Sequence, residues 1–292
     1  MSRDADFLSP RDLLVNDNFC LNLTSFRKLL NVIKETEGLP SDDESLRQKI
    51  GFWEKGYQIL YIYLNPIAQQ FMIVRQVAAC LDGEFKYTAT VCDTALTLCA
   101  SAPADYDKIF TGIEALRRDP ENAILRDDVL KDIKDRQNLV QILRDRATGW
   151  SSDLRSYTLQ AGDCEVVLRN LAVPFKGSAL CDRLTSEDDP SCLQDDLHCL
   201  GKVPGLLEDF SMMEDIGASL QEVEKMAGSA SLIAVDVQSL VDYIAKHVDP
   251  DHNPLEGLVK RKLLDKWATL QKHGKQADML ILFIPFALLV SF

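Results

Sequence analysis

Stepping alternately by three and four residues from Ile133 meets Arg136, Val140, Leu143, Ala147, Trp150, Leu154, Tyr157, Ala161, Cys164, Leu168 and Leu171, and only Arg136 is polar. The same stepping from Met213 meets Ile216, Leu220, Val223, Ala227, Ala230, Ala234, Val237, Val241, Ile244 and Val248 without a failure. From Ile67 it meets Phe71, Val74, Ala78, Leu81, Phe85, Thr88, Cys92, Ala95 and Cys99, and only Thr88 fails. A composition that is 46% hydrophobic would fill fewer than half of such positions by chance. A repeat of this kind sustained over five turns or more marks a long helix with one buried seam. At 1.5 Å per residue, helices near 66–101, 120–172 and 206–248 would run roughly 55, 80 and 65 Å.

The residues that punctuate these stretches agree. Asp119-Pro120, Asp189-Pro190, Asp249-Pro250 and Asn253-Pro254 each place a capping side chain before a proline suited to a first helical turn. Ser41 with Glu44 has capping-box spacing, and Asn65-Pro66 predicts a break ahead of the first long helix. No hairpin signal or alternating run stands out. The sequence therefore predicts an all-α protein, an elongated antiparallel helical bundle with long coiled-coil-like helices over residues 1–276. Shorter helices are expected near 10–35, 41–64, 104–118 and 254–276. Leu220 and Val237 should be nearly inaccessible, and the small residues of AGSASLIA (227–234) should admit a close neighbouring backbone around Ala230.

Little in the chain suggests chemistry. The formal charge is −13 and no Lys/Arg-rich block is present, so nucleic acid is not an expected partner. The first residues lack the apolar region of a secretory signal, which points to a cytoplasmic protein or one released without a conventional signal peptide. Eight cysteines spread over 292 residues read as reduced. The four histidines (His198, His247, His252 and His273) have no triad or helical metal-pair spacing. Cys181, Cys192, His198 and Cys199 could together offer four zinc ligands but lack the CxxC knuckle. The acidic run Ser186-Glu187-Asp188-Asp189 reads as a solvated turn, and Trp53, Trp150 and Trp267 read as core anchors. No catalytic residue, metal ligand or cofactor site is assigned, and an enzyme is not expected.

The apolar C-terminal tail, residues 277–292, is the other distinctive stretch. Its last charge is Asp278. As a helix the 14 uncharged residues after it would reach about 21 Å, short of the roughly 30 Å hydrocarbon core, and Pro285 interrupts them. Lys260, Arg261, Lys262, Lys266, Lys272 and Lys275 form a basic flank suited to an anionic membrane surface. A core-packed tail, a segment that enters a bilayer on demand, a permanent anchor and a truncated chain end all remain open. The candidate membrane-interaction residues are Leu280, Ile281, Leu282, Phe283, Ile284, Phe286, Leu288 and Leu289.

Two local stretches carry a family resemblance. EGLPSDDESLRQKI (37–50) resembles the Leu-Pro, Ser/Thr and acidic cap that precedes the first long helices of xenorhabdolysins, and LLDKWATLQKHGKQADML (263–280) resembles their Trp-bearing last helix. Together with the long seams, they make the chain similar to the α-helical pore-forming toxins, the group of cytolysin A, haemolysin BL and xenorhabdolysin. The resemblance implies a protein that oligomerises with itself or a partner subunit and meets membrane lipid. One departure stands out. That group places its membrane-entering segment between two long helices, whereas residues 173–205 here are polar and acidic past Leu180. Only Leu171, Val173, Phe175, Ala179 and Leu180 could touch a bilayer there. The alternative expectation is an intracellular coiled-coil scaffold or tether, possible also as a tail-anchored form, without pore activity.

Overall fold

The long seams do build helices. The computed structural model describes residues 6–15, 18–20, 23–208, 212–246, 248, 253–256 and 258–272. It is an all-α helical bundle. Helix α1 spans Leu23–Glu37, α2 Asp43–Ile50, α3 Glu54–Ile59, α4 Tyr61–Arg118 and α5 Ala123–Ala172. Then come α6 (Ala179–Glu187), α7 (Leu193–Leu200), α8 (Val203–Glu208) and α9 (Met213–Ala245), with a further helical stretch over residues 260–272. Ahead of α1, where a helix from residue 10 was expected, there is a 3-10 turn (Arg11–Leu13) and a pair of two-residue antiparallel strands, β1 (Leu14–Val15) and β2 (Asn18–Phe19).

Helix α5 follows its seam closely. From Ile133 to Leu168 every seam residue is buried except the half-buried Tyr157. The helix starts later than Asp119-Pro120 implied, because Asn122 provides the cap: its Oδ1 accepts from the Leu125 N–H at 3.0 Å. Helix α2 shows a similar shift. Asp42, not Ser41, accepts from the Ser45 N–H at 2.7 Å, while Ser45 Oγ accepts from the Asp42 N–H at 3.1 Å. Glu44 instead pairs with Arg47 at 2.6 Å. Gly51 then closes α2 with φ 92°, a conformation that favours glycine.

Helix α4 is continuous over 58 residues, so neither the break at Asn65-Pro66 nor the boundary expected near 101–104 occurs. A proline removes one backbone hydrogen bond and crowds the carbonyl four residues back. Both sites offset that loss. Beside Pro66, the Asn65 amide donates to both carboxylate oxygens of Asp43 at 3.2 and 3.1 Å. Around Pro103, the seam continues through Cys99, Ala102, Tyr106, Ile109, Ile113 and Leu116, all buried, so interrupting the helix would expose a whole core face.

In α9 the expected seam is half right. Val223, Ala230, Val237 and Ile244 are buried, but Leu220, Ala227, Ala234 and Val241 are only half-buried. Met226, Ile233 and Leu240 take the inward places instead. Apolar residues lie on both sides of the 223–230–237–244 line, so two registers read as seams. The bulkier set is the one that fills the core.

By its contacts the chain divides into two compact units, residues 1–23, 85–152 and 220–292 in the first and 24–84 and 153–219 in the second. In the first, α4 and α5 run antiparallel, with Thr94 against Arg146, Leu98 against Arg136 and Lys108 against Asp132. In the second, α6 contacts α7, α3 and the 3-10 turn Val173–Lys176, and that turn also contacts α8.

Candidate functional site

The tail residues Leu280, Ile281, Leu282, Phe283, Ile284, Phe286, Leu288 and Leu289 lie outside the described residues. Within the described residues no helix is long and apolar enough to cross a membrane. Of the alternative bilayer-contacting residues, Phe175 and Leu180 are buried, Leu171 is half-buried, and Val173 and Ala179 are exposed. Cys181, Cys192 and Cys199 are free thiols, and no three His, Cys, Asp or Glu side chains among the described residues converge as a metal site. Trp150 and Trp267 are buried as expected, but Trp53 is not a core anchor. It is 53% exposed at the N-cap of α3.

Two buried charged groups stand out, one in each unit. In the first, Arg136 is the single polar residue of the α5 seam, and its side chain is fully removed from solvent. Its Nη1 donates to the Leu98 carbonyl at 2.7 Å and to Ser101 Oγ at 3.1 Å, and lies 3.5 Å from the Asp105 carboxylate. The Leu98 carbonyl is one residue before the carbonyl that Pro103 leaves without its usual donor. The guanidinium carbon sits 4.7 Å from the Tyr106 ring centre and 5.0 Å from that of Trp267. Those ring faces attract the cation where Nε and Nη2 have no acceptor among the described residues.

The same cluster ties down the N-terminal turn. Trp267 Nε1 donates to the Leu8 carbonyl at 2.9 Å, and the Leu8 N–H donates to Asp236 Oδ2 at 2.8 Å. Arg11 pairs with the same carboxylate oxygen at 2.8 Å. Leu8 and Arg11 have φ of 59° and 48°, strained for residues with side chains, and these contacts hold them there. Burial pushes the Tyr106 hydroxyl above its ordinary pKa, against an opposing pull from Arg136. This arrangement is a structural pin: it ties α4, α5, the N-terminal turn and the Trp267 helix together.

In the second unit Asp196 of α7 is fully buried. Its Oδ1 accepts from the Trp53 N–H at 2.9 Å, while Trp53 Nε1 reaches Asp195 Oδ2 at 3.5 Å. Its Oδ2 lies against Gly56 of α3 so closely that a Cβ there would sit 2.1 Å away. That is why α3 carries a glycine at its centre. Asp196 Oδ2 and Asp188 Oδ2 are both buried without a hydrogen-bond donor among the described residues, although the two side chains are within hydrogen-bonding reach of each other. Burial raises the Asp196 pKa to about 6, helped by Asp188 and Asp195 and opposed by the Trp53 N–H.

In the sequence Asp188 belongs to an acidic run that reads as a solvated turn, and no motif marks Asp196. Arg136, by contrast, announced itself as a polar interruption of an apolar seam. A cleft of about 340 Å³ near the C-terminal end of α4 is lined by Glu114, Arg117, Arg118 and Asn253. That lining offers charge but no nucleophile beside a base. No protein-family model matches the chain, and no curated protein matches it significantly.

Proposed function

We propose that this chain is a helical-bundle protein that acts at membranes in the manner of the α-helical pore-forming toxins, assembling with itself or with a partner subunit. The observation that supports this reading is the set of long seam-bearing helices, 58 residues in α4, 50 in α5 and 33 in α9, joined to a run of 14 uncharged residues after Asp278. Helices of that kind can exchange one buried seam for another while the bundle persists. We assign lipid contact to Leu280, Ile281, Leu282, Phe283, Ile284, Phe286, Leu288 and Leu289, with the basic residues between Lys260 and Lys275 favouring an anionic surface. Location is then conditional, away from the membrane until the tail is released.

A scaffold that binds partner helices is the second reading, and one observation favours it. Leu159, Val166 and Val173, spaced by seven, are all exposed along α5 and its following turn. Dye release from anionic liposomes separates the two. The membrane reading expects release that grows with protein concentration. A chain that leaves such vesicles intact at every concentration, alone and with candidate partner subunits, is a scaffold.

A further inference from the structure

Two buried carboxylate oxygens that face each other without donors are each costly, because neither can satisfy the other while both side chains are ionised. One proton resolves both. If it sits on Asp196 Oδ2, that oxygen becomes a donor and Asp188 Oδ2 its acceptor, and no other group has to move. We infer that Asp188 and Asp196 form a one-proton latch, which holds the corner made by α3, α6 and α7 closed in acid and lets it loosen when the proton leaves.

The geometry gives the latch something to act on. Asp188 ends α6, Asp196 lies on α7, and Asp196 is also bonded to the start of α3 through the Trp53 N–H. Its Oδ2 is wedged against the Gly56 backbone, so a repelled carboxylate has no free volume on that side. The charged groups around it mostly reinforce the repulsion. Asp195 faces the same indole, and Asp188 faces the carboxylate directly. The cations nearby are Lys202, which acts on Cys199 one turn along α7, Lys55 of α3, which acts on Asp189, and Arg183 of α6, which lies 3.8 Å from the Glu187 carboxylate.

The sign follows from linkage. The pKa of Asp196 is raised to about 6 in the folded chain from the ordinary value of 3.8. The folded corner therefore holds a proton that the opened corner releases, and its stability is full below the ordinary value and declines as pH rises to about 6. Above that the dependence flattens. Loosening at neutral pH would slacken the segment in which Phe175 and Leu180 are buried, since the 3-10 turn that carries Phe175 contacts α6.

Amide hydrogen exchange of the full chain tests this, read in peptides covering residues 51–60 and 188–200 at pH 4.5, 5.5, 6.5 and 7.5 and corrected for intrinsic exchange. Opening of these peptides should increase with pH by at most about tenfold per unit up to about pH 6 and then level off. Asp196→Asn keeps an oxygen for the Trp53 N–H and supplies a permanent donor to Asp188, so its protection should be high and flat across the range. Asp188→Asn, at the less buried partner, should flatten the profile in the same way and serves if the first variant fails to fold. A flat wild-type profile, or a slope that persists in Asp188→Asn, overturns the latch. So does protection that rises with pH.

Discussion

Arg136 in the first unit and Asp196 in the second are both withdrawn from water, yet the chain handles them differently. Arg136 is permanently charged, so a carbonyl, a hydroxyl, a carboxylate and two aromatic faces are gathered around it. Among the described residues, Asp196 accepts from one backbone N–H and lies against carboxylates and a glycine. A carboxylate can discharge by taking a proton and a guanidinium cannot. The first cluster is therefore a fixed pin, and the second is a joint whose strength depends on pH.

The largest effect expected from breaking this contrast is at Arg136. Arg136→Ala removes the cation, orphans the Leu98 side of the cluster and leaves a cavity between Tyr106 and Trp267, a loss of about 3–5 kcal/mol by urea unfolding. Arg136→Lys should recover little of it, because an ammonium lacks the flat face that lies over both rings. Neither loss should change between pH 4.5 and 7.5, unlike the behaviour of the Asp196 corner.

A second test stays within the first unit and asks which α9 register carries the core. Ile233→Ala should cost about 2–5 kcal/mol, since that side chain is fully buried, while Leu220→Ala should cost clearly less. Equal losses would restore the register that the periodicity suggested. At the joint, Gly56→Ala forces a methyl into the Asp196 carboxylate and should cost about 1–3 kcal/mol, with the Trp53 N–H bond disturbed as well.

The smallest effect should come from Asp42, an exposed carboxylate whose pKa is lowered by the Ser45 N–H and hydroxyl. Its contribution has the opposite sign to that of Asp196: it is present above the ordinary carboxylate range and lost as pH falls through the lowered value. Asp42→Ala should lower Tm slightly at pH 7 and by less at pH 3. A larger drop in acid would mean that the cap does not work through its charge.

How much of this the sequence discloses depends on whether a feature is periodic. The α5 seam was legible almost to the residue, since one apolar line at heptad spacing leaves little choice of face. In α9 two apolar lines share Val223, Ala230, Val237 and Ile244, and periodicity alone does not choose between Leu220 and Met226. The relative bulk of Met226, Ile233 and Leu240 against Ala227 and Ala234 was the signal available. Asn65-Pro66 misled because a proline is read locally, whereas the contact with Asp43 that supports α4 across it is tertiary. Asp196 left no trace in the sequence, because its burial depends on α3 meeting α7, more than a hundred residues apart in the chain.

The membrane reading is tested most directly by deleting residues 279–292 and measuring flotation with anionic liposomes, beside dye release from the same vesicles. The truncated chain should keep its helical signal and its unfolding midpoint, while flotation and release fall to the level of a protein without lipid affinity. If the truncated chain floats and permeabilises as well as the full chain does, the tail is not the lipid-contacting segment and the account is contradicted.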